Sequence, residues 1–220
     1  MFRITCLCIG YLFGMIQTAF IYGKMKGIDI REHGSGNAGT TNTLRVLGTK
    51  AGLIVFVGDC LKALAAILLC TLLFKEIQGE QYIYLIKLYA GAGAILGHNF
   101  PFYLKFKGGK GIACTAGLMF SFDIWFTIVG LIVFFSLFLI THYVSLGSLM
   151  LYPYIIVMEI VLGVFGYFAN KHAVTTPILV EMIVVSFLLG CLTVFMHRAN
   201  IKRLLSHSEK KTYLTKKCDQ

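Results

Sequence analysis

The stretch IWFTIVGLIVFFSLFLI, residues 124–140, decides the fold class. It carries no charged side chain, and its length approaches the roughly twenty apolar residues that take a helix across a hydrocarbon core. In lipid the backbone polar groups must be satisfied inside the segment, so a lone run of this kind is a helix. Further apolar runs lie on either side, at Ile4–Gly23, Ala51–Phe74, Tyr82–Phe100, Ile112–Phe122, Val144–Phe168 and Ile178–Met196. Ile112–Phe122 is short, and only Asp123 separates it from the quoted run. That pair reads as a tight helical hairpin or a partly re-entrant segment. The composition agrees: 57% of the 220 residues are hydrophobic and 14% charged, too little polar surface for a soluble domain. The expectation is an all-α, polytopic membrane bundle of about seven transmembrane helices, with residues 1–220 forming one integral membrane domain.

Arg3 followed by the run from Ile4 imitates a signal peptide, but no small-x-small cleavage site follows. The segment is expected to be retained as a span. The seven cysteines form no CxxC pair and no Cys/His cluster with zinc spacing, and Cys6, Cys8, Cys60, Cys70, Cys114 and Cys191 lie in or beside apolar runs. They read as small buried hydrophobes, and no residue set calls for a metal or other cofactor.

The net charge is +10. Its cations lie in short loops, which points to anionic headgroups and small anionic substrates rather than nucleic acid. With the N-terminus outside, Lys24, Lys26, Arg31, Arg45 and Lys50 fall in the first cytoplasmic loop, and Lys105, Lys107 and Lys110 in the second. Arg198, Lys202, Arg203, Lys210, Lys211, Lys216 and Lys217 fall in the tail, while only Arg3, Lys75 and Lys171 lie outside. The positive-inside rule therefore favours seven helices with a cytoplasmic C-terminus. Lys62 and Lys87 remain within spans. Lys62 stands three residues after Asp59 and is expected to pair with it in the bundle, whereas Lys87, Glu159 and Glu181 look isolated.

Three segments on the predicted cytoplasmic side offer phosphate donors. The first runs from Gly34 through Ser35, Gly36, Asn37, Gly39, Thr41 and Asn42 to Arg45. Glycines let backbone amides turn toward an anion, and an arginine fork can hold a phosphate with two bonds. This string satisfies GxGxxG, but no strand precedes it, which argues against a dinucleotide site. The second segment holds His98, then Gly108-Gly109-Lys110-Gly111. It is no Walker A loop, because Gly111 stands where the magnesium-binding hydroxyl would be. A helix beginning after Gly111 would add its free N–H groups to anion binding. The third is His197–Leu205, in which His197 and Asn200 share one helical face.

Taken in order and spacing, Gly34–Arg45, Gly97–Ala113 and His197–Leu205 resemble the motifs of the bacterial acyl-phosphate–glycerol-3-phosphate acyltransferases. The resemblance covers nearly the whole chain. It implies a compact seven-helix protein of the bacterial cell membrane with its active site at the cytoplasmic face. It further implies acyl phosphate and glycerol 3-phosphate as substrates. Catalytic roles are implied for Ser35, Arg45, Lys110, His197 and Asn200. Gly108 and Gly109 match the glycerol-phosphate-binding turn, and Glu209 matches an acidic residue of structural role; Gly36, Asn37, Thr41, Asn42, His98 and Gly111 are expected substrate contacts from the donors their segments offer. Cys114 stands where threonine is usual, His207 where glycine is usual, and Ala63 where glycine is common.

A mixed anhydride is already activated, so the implied chemistry needs no acyl-enzyme. Its proton acceptor is either His197 or a substrate phosphate oxygen. The rival enzyme class, acyl-CoA or acyl-carrier-protein acyltransferases of the His-x4-Asp type, fails on the sequence. The residues five after each histidine are Ala38, Tyr103, Gly147, Pro177, Lys202 and Thr212. An anion transporter would place its glycine breaks and cations near the bilayer midplane, in related halves. Here they flank the spans, and no internal repeat is present.

Overall fold

The computed structural model describes residues 1–172 and 174–213, the side chains of 169–171 excepted. Among these the chain is helical throughout: α1 Phe2–Gly14, α2 Thr18–Met25, α3 Thr40–Leu47, α4 Thr49–Gln78, α5 Ile83–Asn99, α6 Ile112–Phe122, α7 Ile124–Thr141, α8 Val144–Val164, α9 Tyr167–His172, α10 Thr176–Met196 and α11 Arg198–Leu205. The tail cations Lys216 and Lys217 lie outside the described residues, as does the side chain of Lys171.

Five stretches are long and apolar enough to cross a membrane: Phe2–Met25, α4, α7, α8 and α10. Large apolar side chains such as Leu61, Leu68, Leu72, Trp125, Phe187 and Leu188 stay exposed on them, as lipid-facing surface does. At 17 residues α5 is about 25 Å long, and most of it is buried. At 11 residues α6 is only about 16 Å long, well short of a core of about 30 Å. At its C-terminal end the Lys87 ammonium donates to the Ser121 carbonyl at 2.5 Å. Asp123 then caps α7 by accepting from the Trp125 amide at 2.8 Å. The pair is two helices joined through the single residue Asp123, the first of them short.

The first apolar run is two helices rather than one. Around Met15–Gln17 the hydrogen-bond ladder is interrupted, yet the groups it frees are not orphaned. The Ile16 carbonyl accepts from Lys62 at 2.5 Å, and the buried Gln17 amide donates to the His98 carbonyl at 2.9 Å. Lys87 and Glu181, which look isolated in sequence, have partners as well. Glu181 receives Arg3 and, at 2.8 Å, the Tyr89 hydroxyl. Glu159, also isolated in sequence, accepts from the Ser186 hydroxyl at 2.8 Å.

α5 is the axis of the bundle, flanked by α1, α4, α6 and α10. Its approach to α1 is made by glycines on both sides. A β-carbon at Gly10 or Gly14 would collide with the carbonyls of Ala90 and Ala94, and one at Gly93 or Gly97 with those of Leu7 and Tyr11. Each pair is spaced by four residues, so two small-residue faces meet and the backbones come into contact. This rigid seam fixes the C-terminal end of α5, and with it the site.

Candidate active site

The helical breaks meet at one end of the bundle and enclose a cavity of about 520 Å³. The first residues of three helices line it: Thr40 and Thr41 of α3, Ile112 and Ala113 of α6, and Ala199 and Asn200 of α11. Each helix start leaves amide N–H groups without an intrahelical acceptor and carries a partial positive charge. Gly111 makes the start of α6 possible. Its φ is +80, and a β-carbon there would meet Ile95 and Asn99. Three helix N-termini in one cavity suit anions.

Charged side chains reinforce this. Lys110 donates to the Asn200 side-chain oxygen. The Asn200 amide nitrogen in turn donates to Glu209 at 2.6 Å, and Ser145 and Arg203 donate to the same carboxylate at 3.1 and 2.6 Å. Burial opposes the ionisation of Glu209, but these donors and the Arg203 charge prevail and hold it below the ordinary carboxylate value. Burial lowers Lys110 to about 8; Glu209 opposes this, and Arg203 and Arg45 add to it. Arg45 reaches the Thr212 hydroxyl at 2.7 Å and the Lys210 carbonyl at 3.0 Å. The tail is anchored beside it by the Thr212 amide, which donates to the His142 carbonyl at 2.9 Å.

His197 is buried, and its Nδ1 lies 2.8 Å from the Thr193 carbonyl. A carbonyl only accepts, so Nδ1 carries the proton and Nε2 is left as an acceptor. Burial, then the charge of Lys110, push His197 down to about 4, so the ring is neutral near pH 7. In the first motif, Ser35 donates to the Asn42 side-chain oxygen from both its amide, at 2.7 Å, and its hydroxyl, at 3.1 Å. The Asn42 amide nitrogen donates to the Ile30 and His33 carbonyls, each at 3.0 Å. Asn42 thus braces the loop from within.

Ser35, Gly36, Asn37, Thr41, Asn42, Arg45, His98, Lys110, Gly111, His197 and Asn200 all line the one cavity. Gly108 and Gly109 do not. Their amides donate to the Asn99 and His98 carbonyls at 3.1 and 3.0 Å, capping the end of α5. A β-carbon at Gly108 would strike the His98 carbonyl, and one at Gly109 its ring. Glycine is required there for close approach, and the two residues place Lys110 rather than offering their own donors. Sequence reasoning did not place Asp59, Ser145, Arg203 or Thr212 at the cavity. The spacing of Asp59 and Lys62 signalled the first of these, whereas Ser145 and Thr212 carry no distinguishing mark.

The far side of the cavity is apolar. Leu53, Phe56, Ile112, Phe134, Phe135 and Phe138 form it, between α4, α6 and α7. A second hollow of about 50 Å³ shares Phe56, Ile112, Phe134 and Phe135 with the cavity and is lined also by Ala116, Met119, Leu131 and Leu151. One cavity therefore joins a cationic, donor-rich end to an apolar arm.

Residues 4–207 match the family model described as glycerol-3-phosphate acyltransferase. The chain is 37% identical over 206 residues to a glycerol-3-phosphate acyltransferase of Bacillus subtilis (strain 168), covering 93% of this chain and 95% of that relative. It is 38% identical to the protein of the same name from Geobacillus kaustophilus (strain HTA426), covering 93% of each. Crystal structures of PlsY, an integral membrane glycerol 3-phosphate acyltransferase, superpose with TM-scores of 0.77 for a glycerol 3-phosphate form and 0.74 for a lysophosphatidic acid form. Each shares 30% sequence identity and covers 96% of both chains. The chain belongs to the glycerol-3-phosphate acyltransferase family of integral membrane proteins.

Proposed function

We propose that the chain transfers an acyl group from acyl phosphate to the 1-hydroxyl of sn-glycerol 3-phosphate, releasing lysophosphatidate and inorganic phosphate for phospholipid synthesis. The observation that carries this reading is the two-ended cavity, with three helix N-termini, Arg45 and Lys110 at one end and an aromatic arm at the other. Two phosphate-bearing substrates, one with a long acyl tail, fit that division. The whole chain acts as one unit in a bacterial cell membrane. It makes seven passes from an outside N-terminus, the shortest of them, α6, matched by a locally thinned bilayer, and the cavity opens to the cytoplasm.

The 1-hydroxyl oxygen attacks the acyl carbonyl carbon, the bond to the phosphate oxygen breaks, and phosphate leaves with its electron pair. Lys110 and Arg45 hold phosphate groups, Ser35 and Asn200 orient them, and the start of α6 stabilises the charge that leaves. The hydroxyl proton passes to a phosphate oxygen. The neutral His197, with its low basicity, offers Nε2 as an acceptor to the non-reacting 2-hydroxyl, which orients the substrate without competing for the reacting proton.

Purified protein should release inorganic phosphate from palmitoyl phosphate only when glycerol 3-phosphate is present, one phosphate for each lysophosphatidate. Ser35→Ala should slow this by about tenfold or more and keep the one-to-one ratio. Phosphate release without acceptor, with palmitoyl trapped on Ser35, would contradict direct transfer.

A further inference from the structure

Beneath the cavity, α4 supplies a buried ion pair that the chemistry above leaves unused. Asp59 and Lys62 are 1% and 6% exposed. The Lys62 ammonium has three N–H bonds and directs one to each of three acceptors: the Ile16 carbonyl at 2.5 Å, Asp59 Oδ1 at 2.7 Å and His98 Nδ1 at 2.9 Å. Thr18 donates to the same Asp59 oxygen at 2.9 Å and fixes the carboxylate from the other side of the break. An ammonium donates and never accepts, so His98 Nδ1 must be the acceptor. A neutral imidazole that accepts at Nδ1 carries its proton on Nε2. A protonated ring would bring two donors face to face at 2.9 Å. The Nε2 edge is the one beside Gly109, where a β-carbon would collide with it, and His98 lines the cavity.

We propose that Asp59 and Lys62 are positioning residues that lock His98 as a neutral Nε2–H donor to a phosphate oxygen of the bound substrate. Asp59 and the Ile16 carbonyl hold the Lys62 ammonium in place, Lys62 sets the ring tautomer, and His98 hands the result to the cavity. The donor adds no charge to a site already crowded with cations, so it strengthens one oxygen contact without further lowering Lys110. Lys62 and Asp59 do not touch substrate. The proposal rests on the phosphate-binding part of the functional reading and does not depend on the identity of the acyl donor.

Full-length protein labelled with 15N-histidine in detergent micelles tests it, with His98→Gln identifying the His98 signals. The ring proton is expected on Nε2, with Nδ1 unprotonated near pH 7, and saturating glycerol 3-phosphate should shift that proton resonance. A proton on Nδ1, a cationic ring or an unshifted resonance at saturation would overturn the proposal. None of these readings needs an altered Lys62. A protein that shows the locked, ligand-responsive ring but does not turn over acyl phosphate loses the proposed reaction and keeps this assignment. In turnover, Lys62→Met should cut kcat/KM by about 10- to 100-fold in the unsubstituted protein. It should do so by less than about threefold on top of His98→Gln, whose side-chain amide offers an N–H with no tautomer to set. Equal losses in both backgrounds would show that Lys62 does not act through His98.

Discussion

Glu209→Gln should move the alkaline limb of activity to lower pH while leaving the fold intact. Glutamine keeps an oxygen acceptor for Asn200 and Ser145, which share Oε1, and removes the charge together with the Oε2 acceptor of Arg203. Asn200 bridges Lys110 and Glu209, so the carboxylate lies about the span of one amide plus two hydrogen bonds from the ammonium. At roughly 6 Å and an effective dielectric of about 20, one unit charge is worth about 2–3 kcal/mol, or about two pKa units. Solvent at this half-buried lysine reduces that to about one unit. Lys110 lies at about 8 and would fall to about 7. Its cationic form holds phosphate, so this contribution is present below its pKa and lost as pH rises through it. Removing the carboxylate disfavours the cation, and the limb moves down. At pH 8 the charged share of Lys110 would drop from about one half to about one tenth, a loss of roughly fivefold in kcat/KM, against less than about twofold at pH 6. The assay is kcat/KM for glycerol 3-phosphate between pH 6 and 9, which reports the free enzyme. Lys110→Arg should abolish the limb, because arginine does not titrate there. An equal loss at every pH in Glu209→Gln, or a limb that stays in place, would refute the electrostatic reasoning.

His197→Ala should lower kcat but leave the shape of the pH–rate profile between 6 and 9 unchanged, because His197 titrates at about 4; loss of a limb in that range would mark it as the base. Ala116→Phe should fill the second hollow and cost the palmitoyl donor about tenfold in kcat/KM relative to an octanoyl phosphate. Displacing two methylenes at about 0.8 kcal/mol each gives that figure, and an equal loss for both donors would contradict an acyl arm there. His207 sits at φ +53, a left-handed conformation that glycine adopts without strain. His207→Gly should therefore stabilise the protein by up to about 1 kcal/mol, read as a raised thermal midpoint in detergent, and a lowered midpoint would contradict this.

Apolar length is a local property, which is why the long spans and the short reach of Ile112–Phe122 are legible in sequence. The break at Met15–Gln17 is not, because what makes it tolerable, Lys62 and the His98 carbonyl, comes from other helices. The paired glycines of α1 and α5 also escape a reading of hydropathy alone, since glycine there matters only for what faces it. At the site, the three motifs gave residue types and a common side. Spacing does not give the direction of an amide, however, so Gly108 and Gly109 read as phosphate donors when their N–H groups cap α5. The centrality of Glu209 follows from a tail that folds back over α11, beyond the reach of any local pattern. His207 is the converse case: its departure from glycine was visible in the sequence, and the structure gives its conformational meaning.

Acyl transfer from acyl phosphate is tested by lysophosphatidate formation by purified protein in detergent, from labelled glycerol 3-phosphate with either palmitoyl phosphate or palmitoyl-CoA. Product is expected from the acyl phosphate and none from the CoA ester. Product from the CoA ester alone would contradict the acyl phosphate assignment, and no product from either donor in folded protein would contradict acyl transfer at this cavity.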